Sequence, residues 1–511
     1  MVTTKVFQNQ IKQEANQLKE LVRQELVTVV EDPKKRLEYI DAILRLGVAY
    51  HFEKEIEDNL RKFCNNLQSD DCYVDDLHYV SLRFHVFEKF KCKNGIFKDC
   101  LTSDVQGLLS LYEASHLRLH GEKTLEEALL FSTTHLTSFA TQSSSSMAEQ
   151  IAHSLQLPLH KRSIRLESRY QISFCETNPC HDKNLLRFAK IDFNLLQELH
   201  RMELSDFTRW SRDFDLIAKL PDNMVRNRAV ETYFWSLGTF HEPYYANARM
   251  YSNRLFKIIS IIDDIYDSYG TIEELILFTD AIQRWDKSCI NELPCYLRSF
   301  YQAILETFEE LDQDFLREKR SYAVDYVREQ MRATCQGYFQ EAKWSHHKQI
   351  PAYEDFLKNG VLTSGYLYTF VASFLGMGEI ASKGSFEWIR MNSKAAIASC
   401  IFCRLINDIS SHKHEKERNH VATAVECYMK QFGTSEEETY KKIQFRMEEE
   451  WININQEMLQ PTTAVPMAIF NRVINLSRIL FEYYQIDQDG YTISKYLEPK
   501  VAQVLVDYVP I

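Results

Sequence analysis

The chain has 511 residues, a formal net charge of −12, and 45% hydrophobic and 26% charged residues. This length exceeds a single typical core and predicts two domains, with three as the alternative, while the acidic balance argues against nucleic acid as the main partner. Glycine and proline are scarce, at 14 and 11 residues, which favours long helices over turn-rich β structure and predicts an all-α fold.

The first domain is predicted over residues 1–190 as a series of amphipathic helices. Apolar residues recur at helical spacing in 11–27, 36–52 and 101–116. The second domain is predicted over 191–511, where the pattern is again helical. Breaks between helices are predicted at 142–146, 175–183, Pro221, Pro243, Gly270, Pro294, Pro351, 376–378 and Pro461.

An aspartate-rich segment follows a run of apolar residues in the second domain. Asp263 and Asp267 are one helical turn apart and therefore point the same way, with Asp264 beside them. Paired carboxylates beside apolar surface repel each other and are costly to desolvate unless a cation offsets their charge. Their hard oxygen ligands suit Mg²⁺. The pattern predicts a divalent-metal site at the mouth of an apolar cavity, and a solvated acidic helix face is the alternative.

A second stripe of oxygen-bearing side chains lies downstream, in a helix predicted around 400–415. Asn407, Ser411 and Glu415 follow one another at i, i+4 spacing, so they share one side of that helix. One carboxylate and two neutral oxygens make a poor complete cage for Mg²⁺, but they suit an ion that also takes ligands from phosphate and water. Alone, this motif is more typical of a solvated face. Its occurrence together with the aspartate motif in one all-α chain favours a metal site over a solvated face.

The two motifs, DDxxD at 263–267 and NDxxSxxxE at 407–415, resemble those of class I terpene synthases, and specifically the plant sesquiterpene synthases. The resemblance implies an N-terminal relict α-barrel domain without catalytic function and a C-terminal class I helical bundle that carries the reaction. The implied substrate is farnesyl diphosphate. Its Mg²⁺-dependent ionisation would release diphosphate and begin a carbocation cyclisation that ends in deprotonation or water capture. Further matching segments are 44–53, 111–116, 186–194, 230–235, 279–286 and 489–492.

The resemblance also implies roles for individual residues. Three Mg²⁺ ions are implied, with Mn²⁺ as an alternative, and Glu341 matches an acidic position near them. The final base is left open between the rim of the site and the released diphosphate. The implied metal ligands are Asp263, Asp264, Asp267, Asn407, Ser411 and Glu415; the substrate-binding residues are Arg226, Arg228, Asp263, Asp267, Arg404 and Asn407; the catalytic pocket residues are Trp235, Tyr484, Asp489 and Tyr491.

Several other motifs and functions compete with this interpretation. Cys400 and Cys403 lack the second CxxC of a zinc site and are predicted to be buried small residues. His412 and His414 are predicted to face outward. A chain-elongating prenyltransferase would want two DDxxD motifs, and the second motif here is different. A monoterpene synthase acting on geranyl diphosphate and a catalytically impaired helical homologue that serves as a scaffold remain the alternatives.

The compartment is predicted from what the chain does not show. No apolar run is expected to reach the ~18 residues of a membrane span, and the first ten residues resemble neither a signal peptide nor a transit segment. The missing transit segment favours farnesyl over geranyl diphosphate. The twelve cysteines show no disulfide framework and are expected as reduced thiols. We therefore predict a cytoplasmic enzyme without a membrane span, acting as a monomer.

Overall fold

The structure is a computed structural model, and it confirms the all-α prediction. It describes residues 2–28, 33–65, 99–178, 182–221, 226, 228–391, 393–417 and 422–511. Across these ranges the chain forms α-helices joined by short connections, and the described strands are limited to Tyr484–Gln485 and Gln488–Asp489. These two pair antiparallel, with Tyr484 opposite Asp489. Short 3₁₀ turns lie at Ala49–His51, Asp99–Ser103, Leu159–Lys161, Pro243–Tyr245, Lys287–Glu292, Leu375–Ile380 and Ser494–Tyr496.

The first compact unit comprises Met1–Glu198 together with Ala502–Ile511. The last residues of the chain belong to it because Val509 is fully buried there. The Asn194 amide donates to the Val509 carbonyl at 2.8 Å, and the Val509 N–H donates to Asn194 Oδ1 at 3.0 Å. Its helices are Val2–Thr28, Pro33–Arg45, Glu53–Asn65, Val105–Ser115, Lys123–Gln142, Ser146–Gln156, Ile164–Thr177 and the first part of Lys183–Ala218.

The second compact unit comprises Leu199–Val501. Its central member is Ala246–Asp264, called the aspartate helix below. The helix Lys394–Glu417 is called the Asn407 helix. The helices of the unit, after the second part of Lys183–Ala218, are Ala229–Thr239, Ala246–Asp264, Ile272–Arg284, Cys295–Arg317, Ser321–His346, Tyr353–Thr363, Tyr366–Phe374, Lys383–Arg390, Lys394–Glu417, Ala424–Phe432, Glu436–Leu459, Met467–Tyr483 and the start of Glu498–Leu505.

The division between the units differs from the predicted ranges 1–190 and 191–511 in two respects. It falls at Glu198, inside the continuous helix Lys183–Ala218, so no loop or change of pattern marks it in the sequence. The final residues from Ala502 onward group with the first unit rather than the second. The assignment of the reaction to one domain is a separate matter and stays a prediction.

The aspartate helix is buried on nearly all sides because its apolar residues are not confined to one stripe. Thirteen of its 19 residues are buried, among them Ile258, Ile261 and Ile262. At its end the backbone widens into a single π turn, Ile265–Tyr269, closed by the Gly270 N–H donating to the Ile265 carbonyl at 2.9 Å. Single π turns inside helices frequently occur at functional sites. The DDxxD motif therefore runs from an α-helix into a π turn.

One described stretch, Tyr353–Ile380, is long and apolar enough to cross a membrane by length and composition, so the expectation that no such stretch exists was wrong. The stretch is not one straight helix. Tyr353–Thr363 and Tyr366–Phe374 are separated at Gly365, whose φ of +71° is a left-handed conformation that glycine adopts easily. Its most apolar window is 72% buried inside the protein, which is the ordinary property of a core helix.

Candidate active site

The second unit contains a cavity of about 240 Å³. Asp263 and Asn407, which are far apart in the chain, line this same cavity. The aspartate helix and the Asn407 helix therefore present their oxygen-bearing stripes to one space. Every predicted site residue contributes to the lining: Arg226, Arg228, Trp235, Asp263, Asp264, Asp267, Glu341, Arg404, Asn407, Ser411, Glu415, Tyr484, Asp489 and Tyr491.

The carboxylates around the cavity have too little positive charge near them to stabilise their ionised forms. Burial and the charge of Asp264 raise the pKa of Asp263 to about 7. Loss of surrounding water and the charges of Asp263, Glu341 and Glu415 raise the pKa of Asp267 well above its ordinary value. Burial and the charge of Asp408 likewise raise the pKa of Glu415 to about 7. A cation placed among these groups would stabilise their charged forms.

Glu341 is held at the edge of this acidic group by two neighbours on the helix Tyr353–Thr363. Thr363 Oγ1 donates to Glu341 Oε1 at 2.6 Å, and the Asn359 amide donates to the same oxygen at 3.3 Å. Burial raises the pKa of Glu341 above its ordinary value. Its side chain therefore adds a further oriented oxygen donor beside the aspartates.

On the Asn407 helix, Arg404 is held by two acceptors. Arg404 Nε donates to Asp408 Oδ1 at 2.8 Å, and Nη2 donates to Asn407 Oδ1 at 2.9 Å and also to Asp408. Asp408 is fully buried and also accepts from the Ala424 N–H at 2.7 Å, at the start of the helix Ala424–Phe432. Ser411 Oγ donates to the Asn407 carbonyl at 3.1 Å. The Arg404 guanidinium is thus fixed at the cavity by a buried carboxylate.

The donor set fits Mg²⁺ when part of the coordination comes from elsewhere. Among the described residues, no three His, Cys, Asp or Glu side chains come close enough together to hold a metal ion by themselves. The groups that face the cavity are carboxylate, amide and hydroxyl oxygens, which are hard ligands. Mg²⁺ commonly binds through one or two carboxylates together with water and substrate phosphates, rather than in an all-protein cage.

Near the start of the aspartate motif, Arg228 contacts three partners. Its Nη1 donates to Ser260 Oγ at 3.2 Å, and its Nη2 lies 3.8 Å from the Asp264 carboxylate. The guanidinium carbon lies 4.4 Å from the centre of the Tyr491 ring. The Asp489 carboxylate accepts from the Tyr491 N–H at 2.9 Å and thereby fixes the turn that carries this ring.

Aromatic rings form the wall of the cavity around Trp235. The Trp235 ring stacks on Tyr483 at 4.2 Å between ring centres and meets Tyr491 edge-on at 5.4 Å. Tyr484 and Tyr366 are 6.2 and 6.3 Å away. Tyr483 is 1% exposed and packs against Trp235, and it is not among the residues that line the cavity. Such rings attract a cation by ~0.5–2 kcal/mol each.

Two of the set-aside predictions have definite outcomes. Cys400 and Cys403 are buried free thiols, as predicted, and burial raises the pKa of Cys400 to about 12. The outward orientation predicted for His412 was wrong, because its side chain is 1% exposed and its Nδ1 lies 3.0 Å from Thr423 Oγ1. The helix Glu436–Leu459 packs against this side of the Asn407 helix and places the Tyr440 ring 6.3 Å from the His412 ring, which the local pattern does not reveal. The side chain of His414 lies outside the described residues.

Comparison with known proteins places the chain in one family. The family model described as "Terpene synthase family, metal binding domain" matches residues 212–453, and "Terpene synthase, N-terminal domain" matches residues 2–155. The chain is 46% identical to a (−)-germacrene D synthase from Vitis vinifera, over 98% of this chain and 91% of that protein. It is 44% identical to sesquiterpene synthase 2 from Toona sinensis, with the same coverage of 98% and 91%.

A solved structure agrees with these relatives. The structure of isoprene synthase from grey poplar leaves (Populus x canescens), in complex with three Mg²⁺ ions and dimethylallyl-S-thiolodiphosphate, matches with a TM-score of 0.89. The two chains are 30% identical, and the match covers 98% of this chain and 97% of the other. This chain therefore belongs to the terpene synthase family of enzymes and is of the plant sesquiterpene synthase type.

Proposed function

We propose that this enzyme is a sesquiterpene synthase that ionises farnesyl diphosphate and cyclises the resulting carbocation, with release of diphosphate. The observation that carries the proposal is the two-sided cavity. One side presents acidic oxygens and arginines, and the other presents aromatic rings. An anionic leaving group and an apolar cation would each meet a suitable surface. The sesquiterpene synthases among the relatives support a substrate of this length.

The polar side of the cavity would bind the diphosphate. Arg226, Arg228 and Arg404 supply permanent positive charge in a planar fork that matches phosphate oxygens. The stripes of Asp263, Asp264 and Asp267 and of Asn407, Ser411 and Glu415 would hold three Mg²⁺ ions, with Mn²⁺ as an alternative, and would do so with the help of the diphosphate itself. When bound, the metal supplies Lewis-acid stabilisation of the leaving group without proton transfer.

The aromatic side would hold the hydrocarbon chain and the cation derived from it. Trp235, Tyr484 and Tyr491 offer ring faces that stabilise positive charge without forming a bond to it, and a dry wall delays capture by water. Asp489 keeps the turn that bears Tyr491 in place. Either this rim or the released diphosphate would accept the final proton, and the shape of the wall would select the product.

We also propose that the second domain carries the reaction and that the first domain is not catalytic. All residues lining the cavity lie between Arg226 and Thr492, inside the second unit. Because one chain supplies the whole lining, the proposal needs no second subunit, and we infer a monomer. The buried free thiols of Cys335, Cys400 and Cys403 support a reducing compartment, and we infer the cytoplasm.

The test is an assay of the purified enzyme with farnesyl and geranyl diphosphate, with Mg²⁺ and with excess EDTA. We expect Mg²⁺-dependent release of diphosphate from farnesyl diphosphate and a fifteen-carbon product in gas chromatography with mass detection. Release from geranyl diphosphate alone would indicate a monoterpene synthase, and a longer diphosphate product formed when isopentenyl diphosphate is added would indicate a prenyltransferase. No release from either substrate would indicate an impaired homologue.

A further inference from the structure

Ser260 is a cavity residue that neither motif includes. It lies on the aspartate helix, shortly before Asp263 and Asp264, and lines the cavity. Its hydroxyl oxygen accepts one hydrogen bond from the Tyr491 hydroxyl at 2.8 Å and another from Arg228 Nη1 at 3.2 Å. A serine oxygen has two lone pairs and can accept both at once.

These two bonds join three segments that are distant in the chain. Arg228 immediately precedes the helix Ala229–Thr239, and Tyr491 follows the short strand pair near the C-terminus. Ser260 sits on the aspartate helix, of whose 19 residues thirteen are buried, so it is the fixed member of the three. Tyr491 is restrained at its backbone by the Asp489 carboxylate, its ring lies edge-on to Trp235 at 5.4 Å, and its hydroxyl is fixed by the bond to Ser260.

The orientation of the Arg228 guanidinium depends on its hydrogen bond to Ser260. Its ion pair with Asp264 is long, at 3.8 Å, and its contact with the Tyr491 ring at 4.4 Å attracts charge without fixing the orientation of the individual N–H groups. A hydrogen bond with a charged donor does fix orientation and is stronger than one between neutral groups.

We propose that Ser260 is a positioning residue that orients Arg228 towards the diphosphate and holds Tyr491 across the cavity. The Ser260 hydroxyl then contributes both to the binding of the diphosphate and to the exclusion of water from the carbocation. The inference rests on the proposed function of the cavity. Loss of the hydroxyl would weaken diphosphate binding and would also let water reach the cation, so a larger share of the product would be alcohol.

The first experiment measures binding without turnover. The affinity for inorganic diphosphate is determined by calorimetry, in the presence of Mg²⁺, for the wild type, Ser260→Ala and Ser260→Thr. We expect a roughly tenfold weaker affinity for Ser260→Ala, which corresponds to one hydrogen bond with a charged group. Ser260→Thr keeps the hydroxyl and should bind within about twofold of the wild type, because it can still accept from Arg228.

Ser252→Ala is the matched control. Ser252 lies on the same aspartate helix, is fully buried, and its hydroxyl makes no hydrogen bond within the described part of the chain. The same substitution there should leave affinity and products unchanged. Circular dichroism confirms that each variant keeps the helicity of the wild type.

The second experiment measures the ratio of alcohol to hydrocarbon products from farnesyl diphosphate. We expect Ser260→Ala and Tyr491→Phe each to raise the alcohol share, because each removes the same hydrogen bond. The double variant should show no larger share than Ser260→Ala alone, since residues that act through one bond are not additive. Additive effects would show that the two side chains act independently and would overturn the Tyr491 part of the proposal.

The outcomes separate this proposal from the proposed function. If the wild type releases no diphosphate from farnesyl diphosphate, the function is wrong, while the binding experiment still tests the link between Ser260 and Arg228. If the wild type is active but Ser260→Ala binds inorganic diphosphate as tightly as Ser252→Ala, Ser260 has no positioning role. Equal losses in Ser252→Ala and Ser260→Ala would indicate a general disturbance of the helix and would equally overturn the proposal.

Discussion

Replacing Glu242 by glutamine should destabilise the second unit, and Glu242 itself does not line the cavity. Arg472 donates to the two carboxylate oxygens of Glu242 at 2.9 and 3.2 Å, and both side chains are less than a tenth exposed. Arg472 Nη1 also donates to the Thr239 carbonyl at 2.7 Å, at the end of the helix Ala229–Thr239. Glutamine keeps the shape of the side chain but removes its charge, which leaves the guanidinium buried without a counter-ion.

The pKa of Glu242 gives the magnitude of this effect. Burial by itself raises this pKa, but the charges of His241 and Arg472 outweigh burial and lower it from 4.5 to about 2. This difference corresponds to roughly 3 kcal/mol of stability, in line with the ~3–5 kcal/mol lost when a buried ion pair is broken. Because the folded pKa is lowered, the contribution is complete above pH 4.5 and is lost as the pH falls towards 2.

Urea unfolding followed by tryptophan fluorescence measures the difference between wild type and Glu242→Gln from pH 7 down to pH 3. We expect a lower midpoint for the variant at pH 7 and a gap that narrows below pH 4.5. Glu309→Gln is the control, because Glu309 and Lys287 form a surface pair, 52% and 61% exposed, whose loss should change little. Equal midpoints for the two variants at pH 7, or a gap that stays constant down to pH 3, would refute the reasoning.

Three further predictions concern the metal site, the aromatic wall and the packing of the aspartate helix. Asp263→Ala should abolish Mg²⁺-dependent diphosphate release while circular dichroism stays unchanged; a normal rate would defeat the metal assignment. Trp235→Leu should slow turnover by roughly 2- to 30-fold, the loss of one cation–π contact of ~0.5–2 kcal/mol, and change the product mixture in gas chromatography. Gly376→Ala should lower the melting temperature in calorimetry, because its new Cβ would lie 2.2 Å from the Ala248 backbone nitrogen. Gly384→Ala, whose nearest neighbour would be 3.5 Å away, should not, and equal melting temperatures would contradict the packing argument.

Local sequence patterns predicted those parts of the structure that depend on helical periodicity. The i, i+4 spacing placed Asp263 beside Asp267, and Asn407 in line with Ser411, as two stripes that could face a common space. Composition predicted the all-α fold because few glycine and proline residues interrupt the helices. These features are properties of single segments and need no knowledge of the tertiary contacts.

The remaining features depend on contacts between distant segments and left no local signal. Ser260 resembles any other serine on a helix until Arg228 and Tyr491 are brought to it. The local sequence around His412 predicted an outward-facing side chain, yet a helix from later in the chain packs over it and buries it. The division at Glu198 falls inside an uninterrupted helix, so no turn residues indicate it.

The helix Ala229–Thr239 is anchored at each of its two ends. The Thr239 carbonyl accepts from Arg472 at 2.7 Å and from Asn475 at 3.2 Å, and Arg228 at the opposite end is bonded to Ser260. A helix of only three turns that is hydrogen-bonded to its neighbours at both ends cannot rotate about its axis. The indole of Trp235, near the middle of this helix, therefore keeps a fixed orientation. A change of cyclisation product should consequently require substitution of the side chains in this wall, and not a rotation of the helix backbone that carries them.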